Sequence, residues 1–373
     1  MRKLILIAAA ATIITTGCGG SGKTGSDEET ASVRTDSILI KKLQQLQADG
    51  KIAYGHHDDP SYGLRWRFIA DSSDVKNVVG DYPAVFSFDL GMIEWNADKN
   101  LDGVPFDYMR EQIIAHDARG GINTISWHPR NPLTKGNSWD TEGDSVLKTV
   151  LAPGAMNDTI RAWISNAADF VASLKTADGK PVPVIFRPWH EHTGEWFWWG
   201  VNHCTPQEYI DLWKLTREIF DEKGLDNVVW AYSPDKSNCM TAEDYMERYP
   251  GDEYADVFGA DVYDFSTDPA DSTFTKTVTR MLDIATAEAA KHGKVVALTE
   301  TGLEGLGYNE WYTQRLYPAI KDYPIAYVTV WRNAHADDKA GHFYAPYTGH
   351  PSAPDFVKFY NLDQTAFLND LKK

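Results

Sequence analysis

Eight apolar, strand-like runs recur along this chain with helical patterns between most of them, and that alternation restricts the folds open to it. The runs occupy residues 52–57, 84–91, 122–128, 182–190, 227–233, 257–263, 295–301 and 325–332. Most are continuously apolar rather than alternating, as expected of strands covered on both faces. Segments 106–119, 158–176, 206–223, 274–292 and 309–321 instead carry apolar residues at three- and four-residue spacing, the period of a helix with one buried side. One helix start is written out in full. Thr205 serves as N-cap, Pro206 stands at the first helical position and Glu208 completes a capping box. Strand–helix alternation through eight units predicts an α/β fold, a (β/α)8 TIM barrel forming a single catalytic domain over 38–373. A doubly wound open sheet is the alternative.

The residues before the barrel read differently. Arg2 and Lys3 precede an apolar run from Leu4 to Ile14, followed by Thr15-Thr16-Gly17-Cys18. A short basic segment, a short apolar one and a small-residue cleavage site make residues 1–17 a secretory signal. The Gly17-Cys18 ending resembles a bacterial lipobox, which makes Cys18 the expected lipidation site, and an ordinary signal peptide is the plainer alternative. Residues 18–37, rich in Gly, Ser, Thr and acidic side chains, read as a flexible tether. No acidic residue directly follows Cys18, which favours the periplasmic face over the cell surface. The net charge of −17 argues against nucleic acid or an anionic membrane as partner, so the lipid anchor is the only membrane contact expected. In an oxidising compartment Cys204 and Cys239 are a possible disulfide, with two free buried thiols as the alternative.

A barrel carries its chemistry on the loops at the C-terminal ends of its strands. Polar and aromatic residues collect there: His56, His57, Asp89, His128, His190, Glu191, Asp261, Tyr263, Glu300, Trp331 and Arg332. Two of them close apolar runs as carboxylates, Glu191 on the fourth and Glu300 on the seventh. A carboxylate in such a place is costly unless it is partnered or used. Strands four and seven lie on roughly opposite sides of a barrel mouth, so both side chains can address one bond. Retaining acetal hydrolysis needs such a pair, about 5–5.5 Å apart.

The segment Phe186-Arg187-Pro188-Trp189-His190-Glu191-His192-Thr193-Gly194-Glu195-Trp196-Phe197-Trp198-Trp199-Gly200 resembles the signature of glycoside hydrolase family 26, whose best-known members are β-mannanases. The resemblance extends to Ser126-Trp127-His128-Pro129, Asp261-Val262-Tyr263, Thr299-Glu300-Thr301-Gly302 and Trp331-Arg332-Asn333, in order along the barrel. It implies Glu191 as acid/base and Glu300 as nucleophile. His190 matches the position before the acid/base, Tyr263 a hydrogen bond to the nucleophile, and Arg187 a cation beneath the pair. Trp331 matches the floor under the reacting sugar, Trp196 and His128 substrate contacts, and Arg332 a contact one sugar further out. His57 is a candidate for the distal sugar. An aromatic, poorly solvated surrounding suits an acid that must keep its proton, while a nearby Arg and phenol suit a nucleophile that must stay ionised. No cofactor is implied, because the two carboxyls perform this chemistry unaided.

The expected activity is therefore a retaining β-1,4-mannanase acting on mannan, galactomannan or manno-oligosaccharides. The long polar segment 130–157 is expected to wall off distal subsites and restrict products, with mannobiose as the candidate product. A xylanase or mixed-linkage glucanase of the same family is the alternative, and a non-catalytic sugar-binding lipoprotein is the alternative from another class. A metal-dependent amidohydrolase is disfavoured. His56 and His57 are adjacent and point to opposite faces of a strand, and residues 228–233 contain no histidine.

Overall fold

The computed structural model describes residues 35–143 and 145–372. The expected signal, Cys18 and nearly all of the tether lie outside the described residues. Eight parallel strands form the barrel: β1 Ile52–His57, β2 Val85–Asp89, β3 Ile122–Ser126, β4 Val184–Arg187, β5 Val228–Tyr232, β6 Val257–Asp264, β7 Val295–Leu303 and β8 Ile325–Val330. Each pairs with its sequence neighbour, and β8 pairs with β1 to close the ring, with Ala53 opposite Tyr327 and His56 opposite Val330. A two-residue strand, Thr365–Ala366, adds to the start of β1. The predicted TIM barrel is thus observed, and closure rules out the open sheet.

The helices follow from their periodicity. The first, α1 Thr35–Ala48, was not anticipated, and it places the barrel domain's start three residues inside the expected tether. Its Leu39, Leu43 and Leu46 form an apolar stripe that packs with Ala53, Ile122, Ile185, Val229, Val257 and Val295 at the beginnings of the strands. The predicted helices appear as α2 Phe106–Ala118, α3 Asn157–Ala172, α4 Pro206–Glu222 and α5 Thr273–His292. In α4 the capping box is present in both directions, between Thr205 and Glu208. The segment 309–321 differs from the regular helix expected, because it runs as one π-helical stretch, Tyr312–Leu316, before a short α turn, Tyr317–Ile320. No described helix is long and apolar enough to cross a membrane.

Two local features set the mouth of the barrel. Between β6 and β7 the register shifts, with Ala260 opposite Leu298 and then Asp261 opposite Glu300. Thr299 is the extra residue, a bulge of the kind that re-aims the side chain after it. Its hydroxyl bonds Asp261 Oδ1 at 2.6 Å and fixes the bulge from below. Gly259 leaves the space this needs, since a Cβ there would lie 2.5 Å from Thr299 Oγ1 and 2.7 Å from Ser233 Cβ. The second feature is the end of β4. The sequence places its strand over 182–190, yet the ladder stops at Arg187. Pro188 follows, which has no N–H to continue the ladder, and the chain then turns with Trp189 and Glu191 at φ of 51° and 54°.

Candidate active site

Glu191 therefore sits in a turn beyond β4 rather than at a strand end. The turn is held by Glu191 N–H donating to Ser233 O at 2.8 Å and by Gly194 N–H donating to Glu191 O at 2.9 Å. Glu300 remains within β7, just past the Thr299 bulge. Both carboxyls line one cavity of about 390 Å³ at the barrel mouth, together with His128, Trp196, Tyr263 and Trp331.

The two carboxyls have opposite surroundings. Glu300 accepts a bond from the Arg187 guanidinium on one oxygen and from the Tyr263 hydroxyl, at 2.6 Å, on the other. Arg187 also pairs with Asp261 at 2.6 Å and donates to Ser233 Oγ at 3.0 Å, so it sits beneath the site as the resemblance implied. Burial pushes Asp261 up to about 7, against the pull of Arg187. Burial and the Glu300 charge raise the Tyr263 phenol well above its ordinary value, which keeps it a donor. Glu191 has one side-chain donor near it, Trp196 Nε1 at 2.7 Å. Burial, and then the charges of Glu300, Asp261 and Asp235, drive the Glu191 carboxyl well above the usual carboxylate range, with Arg187 opposing them. The arrangement holds one carboxyl ready to give a proton and the other bonded as an acceptor.

The remaining expected residues divide. Trp196, Trp331 and His128 line the cavity as expected. His57 does not reach it: it is 1 % exposed and stacks behind Trp331, with ring centroids 4.1 Å apart. His190 is also buried and does not line the cavity. Its Nε2 lies 3.1 Å from His128 Nε2. Arg332 pairs with Asp102 at 2.8 Å and lies 3.3 Å from Tyr62 Oη, in an adjoining cavity of about 510 Å³. Trp198 and Trp199 are core residues whose indole N–H groups donate to Pro129 O at 3.2 Å and His190 O at 2.9 Å. Cys204 and Cys239 are free thiols, which corrects the possible disulfide. Cys204 Sγ is engaged by Arg248 Nη1 at 3.1 Å and by Trp199 O at 3.3 Å, while Cys239 is buried elsewhere in the core.

Several cavity residues escaped the sequence reading. Trp139, half exposed, stacks on His128 at 5.3 Å and is the cavity contribution of the long segment after β3. Phe265 is 83 % exposed, with Lys236 Nζ 5.5 Å from its ring centre. Tyr344 packs edge-on against Tyr263 at 5.6 Å, in space that a Cβ on Gly302, at φ 152°, would fill. The isolated exposed aromatic in a polar loop was the available signal for Trp139 and Phe265. Segment 130–157 thus gives the cavity one lining residue, Trp139, and the polar group beside Arg332 comes from the loops after β1 and β2. There Tyr62 Oη donates to Asp58 Oδ2 at 2.5 Å, His57 Nε2 lies 3.8 Å from the same oxygen, and Asp58 Oδ1, Asp102 Oδ2 and His57 Nε2 have no hydrogen-bond partner. Ligand atoms of His57, Asp58 and Asp102 lie within 4.8 Å of one another, but the Arg332 guanidinium already supplies positive charge to this trio.

The chain matches the model of glycosyl hydrolase family 26 over residues 29–302. It is similar to a mannan endo-1,4-beta-mannosidase of Bifidobacterium adolescentis, 33 % identical over 282 residues, which cover 74 % of this chain and 27 % of that protein. A mannan endo-1,4-beta-mannosidase of Bacillus subtilis is 30 % identical over 254 residues, covering 65 % of this chain and 66 % of the relative. The chain thus spans only part of the length of these two relatives. Among solved structures, a GH26 beta-mannanase from Bacteroides ovatus superposes with a TM-score of 0.88 at 46 % identity, covering 92 % of this chain and 98 % of that one.

Proposed function

Because the chain belongs to glycosyl hydrolase family 26, we propose that it hydrolyses β-1,4-mannosidic bonds in mannan or manno-oligosaccharides by a retaining double displacement. The observation that carries this reading is the single cavity shared by Glu191 and Glu300, one carboxyl proton-holding and the other bonded by Arg187 and Tyr263. With a mannosyl ring over Trp331, Glu191 protonates the departing glycosidic oxygen as Glu300 attacks the anomeric carbon. Glu191, now ionised, takes a proton from the water that cleaves the glycosyl-enzyme and regains its starting state. The mannan relatives support mannose over glucose or xylose as the reacting sugar.

The reading includes a restricted cleft. Asp102 and Arg332 put a carboxylate and a cation on the wall of the second cavity. Such a pair can hydrogen-bond the hydroxyls of a terminal sugar. Mannobiose is therefore the proposed main product. Time-resolved products from mannohexaose, alongside a screen on mannan, xylan and mixed-linkage glucan, test the whole reading. Early mannobiose on mannan substrates is expected. An early spread of all lengths removes the restricted cleft, and hydrolysis confined to xylan or glucan removes the mannan assignment. Lipidation at Cys18 and a periplasmic position complete the proposal, and Cys18→Ala is expected to release the protein from the membrane fraction.

A further inference from the structure

The histidine pair beside Glu191 is tied to a carboxylate that the reaction scheme does not use. Asp89, at the end of β2, is fully buried and accepts four hydrogen bonds. They come from Gly91 N–H at 2.6 Å, Ser126 Oγ at 2.7 Å, His128 N–H at 3.2 Å and the His128 ring at 2.7 Å, through Nδ1. An acceptor so bonded fixes a hydrogen on His128 Nδ1. On the other side of the ring, His128 Nε2 and His190 Nε2 stand 3.1 Å apart. Two ring nitrogens at that distance share one hydrogen. Either His128 is neutral and accepts, or His128 is an imidazolium and donates.

We propose that Asp89 is a positioning residue which holds His128 as an imidazolium, so that His128 donates to His190 Nε2, confines His190's own hydrogen to Nδ1, and anchors Trp139 over the cleft.

The groups facing His128 favour this state. Asp89 on β2 and Glu300 on β7 are anionic neighbours, and Arg187 on β4 opposes them. Burial works against a charge on His128, but the Asp89 charge and hydrogen bond raise it above its ordinary value. Burial works to raise Asp89 too, yet His128, Ser126 and Gly91 hold it well below the usual carboxylate range. His190 faces burial, Arg187, His128, His57 and His192, which all disfavour its charge. His57 on β1 is likewise driven well below its ordinary value by burial, against the Asp89 charge, with Arg332, His128 and Arg187 adding to the burial effect. The shared hydrogen is therefore placed on His128, which leaves the buried His190 Nδ1–H without a hydrogen-bond partner. The Asp89–His128 pair is net neutral, so the hydrogen bond to His190 gains a fixed direction without adding net charge beside the cleft. The nearly parallel stack of His128 on Trp139, 14° between planes, is the geometry in which an imidazolium is attracted to an indole face. Trp199 Nε1, bonded to His190 O, fixes the backbone of the same residue next to Glu191. An orienting carboxylate that sets a histidine tautomer is an established way to organise an acid/base site.

Only the kinetic arm of the test rests on the proposed hydrolytic activity; the spectroscopic arm stands without it. In the wild-type enzyme at pH 7, ¹⁵N-histidine spectra are expected to show both ring nitrogens of His128 protonated and His190 neutral with its hydrogen on Nδ1. In Asp89→Asn, His128 is expected to become neutral, Trp139 emission to shift toward that of solvated indole, and kcat to fall about 10²-fold with little change in KM. Ser126→Ala, which removes one bond to Asp89 but not its charge, is expected to retain the imidazolium. A neutral His128 in the wild type overturns the proposal, and so does an Asp89→Asn variant with unchanged imidazole signals. Loss of kcat in Asp89→Asn without any change in those signals marks a merely structural role and also overturns it.

Discussion

The lower and upper halves of the barrel lumen are lined by the same eight strands and hold opposite chemistry. Near the strand starts, Ile122, Ile185, Val229, Val257 and Val295 form an apolar layer, sealed by Leu39, Leu43 and Leu46 of α1. A few residues further on, the strands and their loops present Asp89, His128, Arg187, Asp261 and Glu300, each no more than 7 % exposed. The lower layer gains stability by leaving water. The upper one gives up hydration of ionised groups and recovers it only through pairing, which for buried ions seldom amounts to a net gain. Asp261 and Glu300 share Arg187, and Asp89 has His128. The comparison teaches that the floor stabilises the fold enough for the mouth to keep buried charges that add little to folding.

The largest expected effect is at the mouth. Glu300→Gln and Glu191→Gln should each lower mannan hydrolysis on the order of 10⁴-fold or more. In thermal unfolding, Glu191→Gln should leave the melting temperature near that of the wild type, because that carboxyl already holds its proton, whereas Glu300→Gln takes one partner from Arg187 and should lower it. A fall for Glu191→Gln as large as that of a floor substitution would break the contrast. Next comes the floor itself. Ile185→Ala, in a fully buried apolar site, should cost about 2–5 kcal/mol in denaturant unfolding, with kcat unchanged at temperatures where the variant is folded.

The smallest effect concerns pH. In the proposed reaction Glu191 must hold its proton to act, and its carboxyl titrates well above the usual range because of burial and then Glu300. Below that raised value it is protonated, and above it the proton is lost, so kcat/KM should decline on the alkaline side as Glu191 ionises. Replacing Glu300 with Gln removes the first of the charges that raise Glu191. A ¹³C-glutamate titration of that variant should find Glu191 shifted to lower pH, and an unshifted titration would mean that burial alone sets it.

Much of the fold was legible because it is periodic. Apolar runs, most of them continuous, marked all eight strands, and three-and-four spacing marked α2 to α5. The missed α1 follows polar sequence and its first residues were read as the end of the tether, so its apolar stripe is visible only against the barrel bottom it covers. The two carboxylates were legible because each lies inside a contiguous aromatic or Gly-bearing motif. The strand end at Glu191 was misplaced because Pro188 was read as part of the run rather than as its stop. His57 was read as a sugar contact and proved to back Trp331, since sequence gives the strand but not which way a buried ring leans.

By itself, the sequence determined the number and order of the staves, the Thr205 helix cap and the two carboxylates that share the cavity, all of which are encoded in neighbouring positions. The tertiary structure alone decided the Thr299 bulge that aims Glu300, the sharing of Arg187 between Asp261 and Glu300, the Asp89–His128–His190 chain, the Asp102–Arg332 pair and the separation of the two thiols. These join residues distant along the chain. Their distances are set by barrel closure and side-chain packing, which no local pattern records.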